Sequence, residues 1–191
     1  ITGAGADIVT VTLNGDGATS IIDYNGGTAG DAILLEAGVD ISNSTVTLTS
    51  VEQITLEGGG ADQVVSSALV SGKTFVIAEN GTGAADLEVV IDSLTVDLSS
   101  LVFDASFATG TDNTIVNGSG NASSMSLTGS AADDVITGGS DADTIDGNGA
   151  ADTITGGAGA DTITGGAGVD TFVIASSADA GANEEYTDFV E

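Results

Sequence analysis

The stretch Gly129–Val173 reads GSAADDVIT, GGSDADTID, GNGAADTIT, GGAGADTIT, GGAGVDTFV, five consecutive nonamers. Asp134, Asp143, Asp152, Asp161 and Asp170 recur every nine residues, and Ile136, Ile145, Ile154, Ile163 and Phe172 follow two places later. The last two copies are complete. In the second, Asp141 stands at the fourth-place glycine; in the third, Asn148 and Ala150 stand at glycine places; the first is degenerate. The glycine half of each unit tolerates positive φ, so the chain turns sharply and exposes its carbonyls. The other half is a short strand with one apolar side chain facing inward. One nonamer then makes half a coil, and Asp134 stacks with Asp152, Asp143 with Asp161, and Asp152 with Asp170.

Carboxylates and main-chain carbonyls converging from two coils are hard oxygen donors, suited to Ca²⁺ with its 6–8 oxygen ligands. The candidate ligand positions are Asp134; Gly138, Gly139, Asp141 and Asp143; Gly147, Gly149 and Asp152; Gly156, Gly157, Gly159 and Asp161; and Gly165, Gly166, Gly168 and Asp170. About three ions are expected between these coils, each at ordinary calcium stoichiometry. Five inward apolar side chains are few against the entropy of ordering the stretch. The segment carries eight Asp and no cation. Metal binding and folding are therefore expected to be one event. The competing reading makes these Asp turn residues with no ion.

Working outward, related phrases occur at Thr2–Thr10 (TGAGADIVT), Gly26–Leu34 (GGTAGDAIL) and Gly58–Val65 (GGGADQVV). Alternating runs lie between them: Val9–Leu13, Thr45–Thr49, Val51–Leu56, Thr74–Ile77, Leu87–Ile91 and Leu94–Leu98. These read as short strands between turn residues, and no long stretch has helical periodicity. The Asp-bearing turns at Asp7, Asp31 and Asp62 are 24 and then 31 residues apart. That spacing predicts wider, irregular coils of a parallel β-helix, with a β-sandwich as the competitor. Asp7 and Asp62 are further calcium candidates, Asp31 a weaker one; Asx-type turns are the alternative. Ala108–Met125 reads as decayed nonamers. The expected organisation is an irregular β-helix over 1–128, a β-roll over 129–175, and a cap or the start of another segment over 176–191.

The 191 residues include 29 acidic side chains, one basic side chain and no histidine, a net charge of -28. With Lys73 as the only cation, a phosphate-binding surface for nucleic acid or an anionic membrane is excluded. His, Arg and Cys are absent. The usual general bases, thiolate nucleophiles, guanidinium clamps and disulfides are therefore missing, and no enzyme activity is expected. No apolar run approaches the ~20 residues of a membrane span, so no direct membrane insertion is expected. The start at Ile1 reads as that of an internal or processed fragment. Lys73 reads as a surface lysine, Tyr24 and Tyr186 as packing residues, and Thr144, Thr153, Thr162 and Thr171 as a solvated face.

The nonamers fit the pattern GGxGxDxUx, so Gly129–Val173 resembles the calcium-binding repeats of RTX proteins. Glu184–Phe189 resembles the aromatic and acidic phrase that often follows the last repeat. The phrase TLTSVEQITLEGGGADQVV is similar to the β-helical region preceding such repeats. As a whole the chain resembles the C-terminal part of an RTX-type surface-layer protein of a Gram-negative bacterium. That resemblance implies a right-handed parallel β-helix or β-solenoid running into a calcium-binding β-roll. It also implies type I secretion, an extracellular cell-surface location, and calcium-dependent self-assembly into a homo-oligomeric lattice. Any cell-surface glycan would be held by regions outside these residues. A large RTX adhesin or filament, and the non-catalytic RTX tail of a secreted hydrolase, lyase or epimerase, are the alternatives.

Overall fold

Runs of Val, Ile, Leu and Thr interrupted by Gly, Asn, Asp and Ser are too short for helices and form strands of two to five residues. The computed structural model describes residues 8–11, 21–25, 31–43, 45–49, 51–59, 62–108, 110–174 and 185–187. Asp7 lies outside the described residues. In chain order the strands are β1 (Ile8–Val11), β2 (Ile21–Asn25), β3 (Ala32–Leu35), β4 (Thr45–Thr49), β5 (Gln53–Glu57) and β6 (Gln63–Ser66). A single helical turn, α1 (Ser67–Val70), precedes β7 (Val76–Asn80), β8 (Leu87–Val90), β9 (Thr95–Asp97), β10 (Val102–Phe103) and β11 (Thr114–Asn117). Then follow β12 (Ser126–Thr128), β13 (Asp134–Thr137), β14 (Thr144–Asp146), β15 (Thr153–Thr155), β16 (Thr162–Thr164), β17 (Thr171–Phe172) and β18 (Glu185–Thr187).

Every strand pairing among the described residues is parallel. The sheets run β1-β3-β5-β7-β10, β6-β8-β11-β13-β15-β17, β9-β12-β14-β16-β18 and β2-β4. The chain visits the first three faces in turn and returns one coil further on. This is a β-solenoid that becomes a roll, and it excludes the antiparallel sandwich.

Coil length is read from the register. Ala32 pairs with Gln53, Gln53 with Val76, and Leu87 with Thr114, so the first part winds at 21 to 27 residues per coil. Thr114 pairs with Asp134, 20 residues on, and Val135 with Thr153, 18 on. In the third sheet the 18-residue pitch already begins where Ser126 pairs with Thr144, three residues before the first nonamer. The face begun by β1 ends at β10. There Phe103 and Phe107 meet at 4.7 Å, filling space that the two-walled roll does not have.

The core crosses this change without a break. One inward column runs Val65, Val89, Val116, Ile136, Ile154, Phe172, and another runs Val96, Leu127, Ile145, Ile163, Tyr186. Phe172 and Tyr186 meet edge to face at 5.4 Å at the far end. The aliphatic members of both columns are buried in one apolar cluster. Each buried side chain stabilises the stack by about 1.5–3 kcal/mol. The wide coils are further laced by side chains bonding across rungs. Asp112 accepts the N–H of Ala85 at 3.2 Å and of Ala108 at 2.7 Å. Asp86 accepts the N–H of Asn113 at 2.8 Å. Among the described residues no helix is long and apolar enough to cross a membrane.

Candidate metal centre

Because each nonamer is half a coil, the glycine turns fall alternately on the two edges of the roll. Turns 138–143 and 156–161 stack on one edge, where the Ala158 N–H donates to the Gly139 carbonyl at 2.9 Å. Turns 129–134, 147–152 and 165–170 stack on the other, where the Ala167 N–H donates to the Asn148 carbonyl at 3.0 Å. Asp134, Asp143, Asp152 and Asp161 are buried, each at the start of a strand.

The aspartates bond to one another's backbones at the 18-residue spacing. The Asp134 N–H donates to Oδ1 of Asp152 at 2.9 Å, the Asp143 N–H to Oδ1 of Asp161 at 2.8 Å, and the Asp152 N–H to Oδ1 of Asp170 at 3.0 Å. The Met125 N–H does the same to Asp143 at 2.8 Å, extending the device one rung before the nonamers. The second carboxylate oxygens differ. Oδ2 of Asp134 accepts the Ser130 N–H at 2.7 Å, and Oδ2 of Asp143 accepts the Gly139 N–H at 2.7 Å. Oδ2 of Asp152 is buried and has no partner. A buried carboxylate oxygen left in this state is strongly unfavourable.

The glycines divide by place. Those opening each turn are needed for space. A Cβ on Gly147 would collide with Oδ2 of Asp152 and the Gly165 carbonyl, and one on Gly138 with Asp143 and the Gly156 carbonyl. Gly129, Gly156 and Gly165 meet the carboxylate of their own turn in the same way. Positive φ, expected throughout, occurs only at the second and fourth places of the last three turns: Asn148 (75°) and Ala150 (76°), Gly157 (101°) and Gly159 (139°), Gly166 (100°) and Gly168 (148°). Gly139 and Asp141 do not adopt it, and Asp141 is exposed. Gly149 has open space about it. Ala150 carries a Cβ in the left-handed region, so Ala150→Gly should stabilise the roll by about 0.5–1 kcal/mol, strain relief exceeding the entropy of the added glycine. A lower thermal midpoint in that variant would contradict the assignment.

Burial pushes the Asp134 carboxyl up to about 8, helped by the negative charge of Asp152 and opposed by the Ser130 hydrogen bonds. Burial pushes Asp152 up to about 7, helped by the charge of Asp170 and opposed by the Asp134 N–H. Both lie above the unfolded value of about 3.9. Their contribution to stability is fully present below that value and is lost as pH rises through 7 to 8. In chelator, acidification from about pH 8 to about pH 5 should therefore raise the unfolding midpoint of the roll. Circular dichroism melts check this, and a midpoint that falls on acidification refutes it.

Among the described residues no three carboxylates converge on one point. A cation would be held by one or two carboxylates with main-chain carbonyls supplying most of the ligands. The residues fit such an ion. Oδ2 of Asp152 and the Gly165 carbonyl flank the same point beside Gly147, and every donor there is a hard oxygen. Further back in the chain, Asp62 is exposed whereas Asp31 is buried, the reverse of the order in which they were ranked. The sequence reading also missed the buried Asp112, because its 27-residue register has no repeat to mark it.

The decisive comparison is with known families. The RTX calcium-binding nonapeptide repeat, in four copies, matches residues 126–154 and 146–173. RTX repeats bind calcium, and the repeat is a structural module rather than a catalytic one. The match begins at Ser126, the residue where the 18-residue pitch begins. No curated protein and no solved structure matches the chain significantly.

Proposed function

We propose that the chain is a calcium-dependent structural module of a secreted bacterial surface protein, and that calcium completes the roll and supports assembly of copies into a surface layer. The observation that carries the calcium part is the buried, unpartnered Oδ2 of Asp152 facing the next turn's carbonyl within an 18-residue stack. Bound there, Ca²⁺ supplies positive charge and several oxygen contacts to a segment that has no cation of its own. The chain's own part is structural. Ile136, Ile145, Ile154 and Ile163 fix the rungs, the first-place glycines keep carboxylate and carbonyl close, and the Asp N–H groups set the register.

Secretion follows from the same chemistry. A roll that closes only with calcium stays loose where calcium is scarce and orders where it is plentiful. A chain without cysteine has no disulfide to serve that purpose. Assembly is supported by the exposed apolar residues Val169, Val173 and Ile174 at the far end of the roll. Electron microscopy of the purified chain with calcium and with chelator tests the reading. Ordered sheets or filaments are expected in calcium only, and dispersed monomers at every calcium concentration would defeat the assembly part.

A further inference from the structure

We propose that turn 129–134 is closed without a cation: Ser130 takes on Asp134 the place that a cation takes on Asp152, so ion uptake in the roll begins at Asp152. This rests on the calcium reading above. The difference lies in the second residue of each turn. Ser130 directs its N–H at Oδ2 of Asp134 at 2.7 Å, and its hydroxyl lies 3.0 and 3.2 Å from the two carboxylate oxygens. That hydroxyl in turn accepts the Ala132 N–H at 3.1 Å. In the third turn Asn148 occupies the same place with φ at 75°. The rotated peptide sends its N–H to Oδ1 of Asp146 at 3.0 Å, so Asp152 receives nothing from its own turn.

The gap between the first and third turns is closed from both sides. Asn148 Nδ2 donates to the Ser130 carbonyl at 2.7 Å, and the Ala151 N–H donates to Oδ1 of Asp133 at 2.9 Å. The oxygens of Asp134, the Ser130 carbonyl and Oδ1 of Asp133 all have donors. An ion entering here would have to displace these hydrogen bonds, whereas at Asp152 it meets an oxygen with none to lose. Ser130 and Ala132 also stand where later copies have glycine, and left-handed backbone is unfavourable for both. The first nonamer is thus a metal-free rung joining the wide coils to the cation-dependent part.

Calcium titration of the full chain, with bound ions counted by calorimetry and by equilibrium dialysis, tests this. Asp134→Asn keeps an oxygen for the Ser130 N–H and should leave the count unchanged, whereas Asp152→Asn should lower it. Ser130→Gly combined with Ala132→Gly restores glycine at both places and should raise the count by one ion. A wild-type chain that takes up no calcium defeats the calcium reading itself, and this proposal with it. Wild-type uptake with a count that falls in Asp134→Asn, or fails to rise in the double variant, overturns this proposal alone.

Discussion

Chelating calcium at neutral pH is expected to strip hydrogen-exchange protection from β14–β17, while β3 and β5–β9 keep theirs. The two regions satisfy their buried polar groups differently. In the wide coils Asp112, Asp86 and Ser71 reach across rungs to backbone N–H groups, so the coils close with protein donors alone. In the roll the Asp152 carboxylate is half satisfied, and burial disfavours its charged form. A ligand at a hundredfold its Kd stabilises by about 2.7 kcal/mol per site. Two such sites approach the ~5 kcal/mol at the low end of whole-domain stability. Their loss is large enough to open the roll, and the continuous core then frays from its far end. Equal loss of protection in both regions would show that calcium holds the wide coils as well.

This contrast was only partly legible in the sequence. A period of nine over five copies gives the half-coil, the stacking of Asp134 on Asp152, and the inward isoleucines, because identical rungs must present identical residues at identical places. The wide coils have no fixed period. Their pitch varies between 21 and 27 residues, so no arithmetic brings Asp112 to the Ala85 N–H or Asp86 to Asn113. The alternating runs did mark β1, β4, β5, β7, β8 and β9, whose outward positions are polar. β10 and β11 were not marked: β10 has only two residues, and β11 sits in a stretch read as decayed nonamers.

The aspartates show a second limit. Asp134, Asp143 and Asp152 are indistinguishable by repeat position, yet they differ in what reaches Oδ2. That is decided by the φ of the residue four places earlier: Ser130, Gly139 and Asn148. Asn at a glycine place signals tolerance of the left-handed region. Serine there, with an aspartate four residues on, signals a local cap. Both signals were present, but they weigh little beside a strong repeat.

Gly147→Ala is expected to be the most damaging conservative change in the roll. Its Cβ would enter the space held by Oδ2 of Asp152 and the Gly165 carbonyl, neither of which can withdraw without breaking the stack. Overpacking of this kind costs about 1–3 kcal/mol in ordinary cores, and more where the obstacle is backbone. The added methyl also covers the oxygens that would take the ion, so calcium affinity should fall with stability. Two residues on, Gly149→Ala should do the opposite. Gly149 is not in the left-handed region and has open space about it, so the alanine restricts the unfolded chain and stabilises by about 0.4–1 kcal/mol. Both glycines belong to one turn and both were read as ligand positions. Thermal melts and calcium titrations of the two variants therefore separate a glycine required for close approach from one that is not. If both lose stability equally, the backbone freedom of the turn governs, and the steric account of the first-place glycines is wrong.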